Sequence, residues 1–294
     1  MIMIGAYSTY VVQLFLPNLI EYSLFIAIPF AFIVAASVGM ILERGVIRYL
    51  YGRPLETLLA TFGISLFLQQ LVRTIFSPIN MPVSNPEWMG GMLQVHSALN
   101  LSYGRIYILL FSLIVFFTLR IILRKTHFGT EVRAVMQNRS MAKAMGIKTG
   151  WIDSLTFGLG SGIAGIAGAL YYPQAGIINP AELAPIASIY LAVWVAIGGR
   201  GKLYGAVIGA VFVSLVSSRF TSGQIPDLNI GNYTLAWVDW WLVILGITFV
   251  LVTIFTPKGL GGLVDLFHKG KITGSYDRDF GPEQGSLRKK EASK

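Results

Sequence analysis

Residue types able to do chemistry are sparse in this chain, and most of them stand outside its apolar stretches. Cysteine is absent and the three histidines, His96, His127 and His268, are far apart in sequence. That removes disulfides and thiolate catalysis and leaves no ligand set for a metal. No Ser/His/Asp or paired-carboxylate arrangement falls inside an apolar run, so neither a catalytic centre nor a cofactor is expected. Glu43, Glu56, Glu182 and Asp239 lie near the ends of such runs and read as interfacial charges, whereas ion-coupled transporters place carboxylates at depth. What the runs do carry is neutral. Thr61, Ser65 and Gln69 repeat at every fourth residue on one helix face, with Gln70 beside them. Such hydroxyls and amides could line a path for a small polar solute, or equally bond one helix to the next.

The second candidate is a basic segment between two apolar runs, residues 124–150, with Arg124, Lys125, Arg133, Arg139, Lys143 and Lys148. Val132, Val135 and Met136 take the spacing of one helix face, and Met141, Ala144 and Met145 repeat it. Nine residues separate the two sets, and over about nine residues an α-helix turns half a revolution beyond whole turns, so one straight helix would expose one set. Two short helices meeting near Asn138, Arg139 and Ser140 would not, with Asn138 or Ser140 capping the second and Gly146 ending it. This predicts a folded cytoplasmic docking element. A solvated basic loop that only sets membrane orientation fits the periodicity equally well.

The elements that hold these residues are set by composition. Of 294 residues, 54% are hydrophobic and 13% charged, against about a quarter charged in a soluble domain. The fold class expected is all-α: a polytopic membrane protein of about eight transmembrane helices. The apolar runs are 1–16, 22–42, 55–76, 105–123, 154–172, 186–198, 203–218 and 235–255. Pro17-Asn18 breaks the first pair. Residues 186–198 are short for a crossing and could be a broken or tilted helix. Glycines at 158, 162 and 165 and the Gly205/Gly209 pair suit close helix packing. Residues 1–269 make the membrane domain, and 270–294 form a polar tail expected to be disordered. The net charge of +9 falls in alternate connections rather than along an aromatic-interleaved stripe. That favours membrane lipid over nucleic acid, and places both termini and the docking segment on the cytoplasmic side of the membrane.

Two stretches then carry a resemblance. Phe128-Gly129-Thr130-x-Val132-Arg133-Ala134-Val135-x-Gln137-Asn138-Arg139-x-Met141-Ala142 with Gly146-Ile147 resembles the cytoplasmic coupling loop of bacterial ABC importer permeases of the branched-chain amino-acid and urea (LivH/LivM) type. Gly198-Gly199-Arg200-Gly201 with Gly205 and Gly209 resembles the family's Gly-Gly-x-Gly segment. Within the family, residues up to about Gly160 look like the LivH-type urea permease. From Tyr172-Pro173-Gln174 through Thr256-Pro257-Lys258 the chain looks like its LivM-type partner, with the chain starting inside the family's Asn-x-Ala-His-Gly-Glu region. The resemblance implies a non-enzymatic permease for urea or a short amide, or for branched-chain amino acids. It implies a second permease subunit, two cytoplasmic ABC ATPases and a periplasmic solute-binding protein as partners. Arg133, Asn138, Arg139, Ala142, Lys143 and Gly146 are the residues implied in ATPase coupling. A stand-alone secondary transporter and a non-transporting hybrid are the alternatives.

Overall fold

The structure is a computed structural model; it describes residues 1–16, 22–77, 79, 81–82, 86–96, 99–178, 185–199, 203–222, 228–230, 233–235 and 237–255. Pro17-Asn18, Glu182, Arg200-Gly201-Lys202, Thr256-Pro257-Lys258 and the 270–294 tail lie outside them. The chain is mostly helical: α1 (Ile2–Phe15), α2 (Ser23–Gly45), α3 (Pro54–Phe76), α4 (Tyr103–Lys125), α5 (His127–Gln137), α6 (Arg139–Ala144), α7 (Thr149–Ala175), α8 (Pro185–Gly198), α9 (Leu203–Thr221) and α10 (Trp237–Phe255). Among the described residues, five helices are long and apolar enough to cross a membrane: 23–45, 55–76, 103–125, 149–171 and 203–221. Apolar helices at 2–15, 188–198 and 243–252 are shorter.

Strands occur only as short pairs among the described residues. Met81–Pro82 (β1) pairs antiparallel with Ile177–Ile178 (β4), Met92–His96 (β2) with Leu99–Ser102 (β3), and Leu228–Ile230 (β5) with Tyr233–Leu235 (β6). They sit in connections that the sequence assigns to polar loops, being too short for alternation to show against their turn residues.

Residues 1–187 and 188–294 form two compact units. In the first, α2 and α7 pack antiparallel at close approach because both present small residues. Ala27, Ala31, Ala35 and Gly39 recur every fourth residue on α2 and all are buried. On α7, Gly158 meets Met40 and Ala36, Gly162 meets Phe32, and Gly165 meets Ala31 and Ala35. Small residues let the backbones approach where no hydrophobic driving force separates helix from lipid. α1 packs on both, Gly168 facing Ile2 and Ala6. Tyr7 and Tyr10 of α1 pack against Phe76, and Val72 joins them, which seats the end of α3. α4 buries none of its residues. At the start of α2 and α4, Phe25 stacks on Trp88 at 5.7 Å and Trp88 meets Tyr107 edge-on at 4.8 Å, an aromatic layer of the kind found at membrane interfaces.

In the second unit α8 ends at Gly199, whose φ of +113° suits glycine and whose N–H returns to the Val195 carbonyl at 3.0 Å. Gly198 lies against Gly205 and Gly209 of α9. Ile197, Val213 and Leu245 form a core joining α8, α9 and α10.

Candidate functional site

The basic segment folds as two short helices. Thr126 caps α5, its hydroxyl accepting from the Gly129 N–H at 3.3 Å, and α5 runs to Gln137. Asn138 is extended (φ −152°, ψ 102°) and breaks the axis. Its side-chain oxygen accepts from the Met141 N–H at 3.1 Å and from the Ser140 hydroxyl at 2.8 Å, capping α6. α6 closes in a Schellman turn: the Gly146 N–H reaches Lys143 O at 3.1 Å, the Ile147 N–H reaches Ala142 O at 3.1 Å, and Gly146 takes φ +85°. The break, the cap and the stop expected from spacing are all present.

On α5 the packing face is narrower than the spacing predicts; on α6 it is a different face, since Met141, Ala144 and Met145 are all exposed and the buried residue, Ala142, stands outside that set. Val132 and Ala142 are buried, but Met136, Met141 and Met145 are 81%, 61% and 76% exposed. The segment rests on the body through a β-branched and a small residue and holds three flexible thioethers outward, a composition that suits an adaptable binding surface. Lys143 is exposed beside them. Arg133 turns inward: it donates to the Leu123 carbonyl and to the Thr130 hydroxyl, satisfying one of the free carbonyls at the end of α4. Arg139 also turns inward, to Asp153 at 2.6 Å. A half-exposed pair of this kind contributes on the order of 1 kcal/mol or less.

Behind the segment lies a residue that sequence reasoning set aside. Glu43, read as an interfacial charge, is fully buried. Tyr51 donates to its Oε1 at 3.1 Å and the Ser154 hydroxyl binds Oε2. Desolvation, then the neighbouring Glu43 carboxylate, pushes the Tyr51 hydroxyl up to about 12. Arg44 donates to Ser154 at 3.4 Å and stacks over Trp151 at 4.3 Å. A partial sequence signal did exist, because Glu43 stands one turn beyond Gly39, about 40° further round the helix, next to the end of the small-residue stripe. Between α5 and α7 an open, mostly apolar groove of about 480 Å³ is lined by Val132, Met136, Ile152, Thr156 and Phe157 among others.

On α3, Thr61, Ser65 and Gln69 share the inward face with Val72 and Phe76; Gln69 is buried and Gln70 is exposed on another face. Thr61 bonds the carbonyls of Thr57 and Leu58 in its own helix, at 2.8 and 3.0 Å. Near Val72, the Tyr7 hydroxyl is buried with no hydrogen-bond partner among the described residues. Of the glycine motif, Gly198, Gly199, Gly205 and Gly209 come together where α8 meets α9; Gly201 lies outside the described residues.

Residues 1–253 match the family model described as branched-chain amino acid transport system, permease component. The chain belongs to this permease family. It is similar to the high-affinity branched-chain amino acid transport system permease protein BraD of Pseudomonas aeruginosa, 28% identical over 271 residues, covering 88% of this chain and 83% of that protein. It is similar to the corresponding permease LivH of Salmonella typhimurium, 27% identical over 237 residues, covering 77% and 76%. The autoinducer 2 import system permease LsrC of Salmonella paratyphi B is 30% identical over 121 residues, 40% of this chain and 35% of that one. No solved structure matches. Permeases of this family are transport subunits, not enzymes.

Proposed function

We propose that the chain is a transmembrane permease subunit of an ABC importer for a small polar solute, with α5 and α6 as the element that docks on a cytoplasmic ATPase. The observation that carries this reading is the pair of capped short helices holding Met136, Met141, Met145 and Lys143 outward at the end of the molecule where Arg44, Arg48, Arg124 and Lys125 also gather. Charge of that sign marks the cytoplasmic side. In this division of labour Lys143 touches the ATPase, while Arg133, Asn138, Arg139, Ala142 and Gly146 shape the docking element. Five long and three shorter apolar helices are consistent with eight crossings, and the basic residues of alternate connections put both termini inside.

The names of the relatives favour a branched-chain amino acid as solute. Urea or a short amide is the second reading, favoured by Thr61, Ser65 and Gln69, a face of neutral donors and acceptors that suits an uncharged solute. The division of the resemblance between LivH-like and LivM-like halves adds a question of pairing, with itself or with a second permease. Copurification with the system's two ATPases, followed by uptake of labelled leucine or urea into proteoliposomes carrying the binding protein, tests all of this. ATP-dependent uptake of one solute is expected. Uptake driven by an ion gradient without ATPases would replace the reading with a secondary transporter.

A further inference from the structure

The docking helix and the two most closely packed helices meet through one series of side chains. Arg139, the first residue of α6, donates to Asp153 of α7 at 2.6 Å, and its guanidinium stands 5.0 Å from the centre of the Tyr51 ring. Tyr51 lies in the connector after α2 and donates to Glu43 of α2 at 3.1 Å. The other oxygen of Glu43 takes the hydroxyl of Ser154, next to Asp153 on α7. Glu43 has no exposed surface. It lies one turn beyond Gly39 at the end of the small-residue stripe, and its two carboxylate oxygens tie the connector after α2 to α7. The backbone link from α6 to α7 is short and passes through Gly146 at φ +85°. A segment held by that link alone could pivot about it. Ala142 packs α6 on the body, and the side-chain series adds a directional polar attachment beside it.

We propose that Arg139 and Tyr51 are positioning residues that lock α6 to α2 and α7 through the buried carboxylate of Glu43, so that movement imposed on the docking helix displaces the membrane helices directly. The inference rests on the docking role of α5 and α6. It assigns Arg139 inward, as a brace, and leaves the grip on the ATPase to the outward methionines and Lys143. The planar guanidinium suits this position because it can engage a carboxylate along its edge and an aromatic ring across its face at the same time, which a lysine cannot.

The test uses the full chain assembled with its partner permease, binding protein and ATPases in proteoliposomes. Two quantities are read separately: the dissociation constant of the ATPase for the permease, and the stimulation of ATP hydrolysis by loaded binding protein. Tyr51→Phe keeps the half-exposed ring and removes only the hydroxyl; Asp153→Asn removes the charge that holds Arg139. Each is expected to lower stimulation by about fivefold or more, the lower range of coupling effects, while the dissociation constant changes by no more than about twofold. Arg139→Asp combined with Asp153→Arg should recover part of the stimulation lost in Arg139→Asp alone. Unchanged stimulation in both Tyr51→Phe and Asp153→Asn would overturn the proposal. So would a loss of ATPase affinity of about tenfold in Arg139→Gln that Asp153→Asn does not share, since Arg139 would then be a grip. If the unmodified chain fails to bind any ATPase, the docking reading itself falls, an outcome distinct from normal binding with insensitive coupling.

Discussion

Two glycines five residues apart on α7 should respond to the same substitution with opposite sign. A methyl group built on Gly165 would stand 2.7 Å from the carbonyl oxygen of Ala31 and closer still to the Ala35 side chain, whereas one built on Gly160 meets nothing within 4 Å. Backbone atoms of α2 cannot rotate aside as a flexible side chain can, so Gly165→Ala must separate the two helices along the stripe. Overpacking of this kind costs about 1–3 kcal/mol, less a helix-propensity gain for alanine of about 0.5–1 kcal/mol. At Gly160 only the gain remains. The expected result is therefore a net loss of up to about 2.5 kcal/mol at Gly165 and a small stabilisation at Gly160, read as detergent-solubilised thermal unfolding followed by tryptophan fluorescence. Equal shifts for the two variants, or a stabilised Gly165→Ala, would refute the packing of α2 on α7 and with it the burial of Glu43.

Two other outcomes follow from the docking end and a third from α3. Asn138→Ala removes the cap of α6 and should cost about 1 kcal/mol locally, read as faster hydrogen exchange at the Met141 amide with α7 unchanged. Because the Tyr51 hydroxyl is pushed up from its ordinary value near 10 to about 12, the folded state holds that proton more tightly than the unfolded chain. Its contribution to stability is complete below pH 10 and lost as pH rises through 12; a pH-resolved melting series should show this alkaline loss in the parent and a flatter curve in Tyr51→Phe. Gln69→Ala should lower solute uptake if the buried amide lines the path, while Gln70→Ala, on an exposed face, should leave uptake near the parent rate.

Hydropathy was enough to place the helices because each apolar run must satisfy its own backbone in hydrocarbon. Helix α7 begins at Thr149 rather than Ser154, since the polar first turn continues the same hydrogen-bonding pattern and carries no hydropathy signal. The docking element was legible from phase and punctuation together: Asn138 and Gly146 fix the ends of α6 locally, within four residues of the groups they satisfy. Its orientation was not. Which apolar residues turn inward depends on the end of α4 and on α7, so Met136 projects outward from the face of Val132, and on α6 Ala142 is buried in place of Met141, Ala144 and Met145. Arg133 and Arg139, implied in ATPase coupling by the resemblance, remain exposed but also bond Leu123 and Asp153, partners that spacing along the sequence does not reveal. The partners of Glu43 are hardest to read, Ser154 being 111 residues away, although its place one turn beyond Gly39 sets it beside the small-residue stripe.

The account depends on the methionine-bearing surface of α5 and α6 facing the cytoplasm. The chain has no cysteine, so Met145→Cys places one thiol at a residue 76% exposed without a competing site. With a membrane-impermeant maleimide, labelling is predicted in inside-out vesicles and absent in right-side-out vesicles; labelling from the periplasmic side would contradict the account.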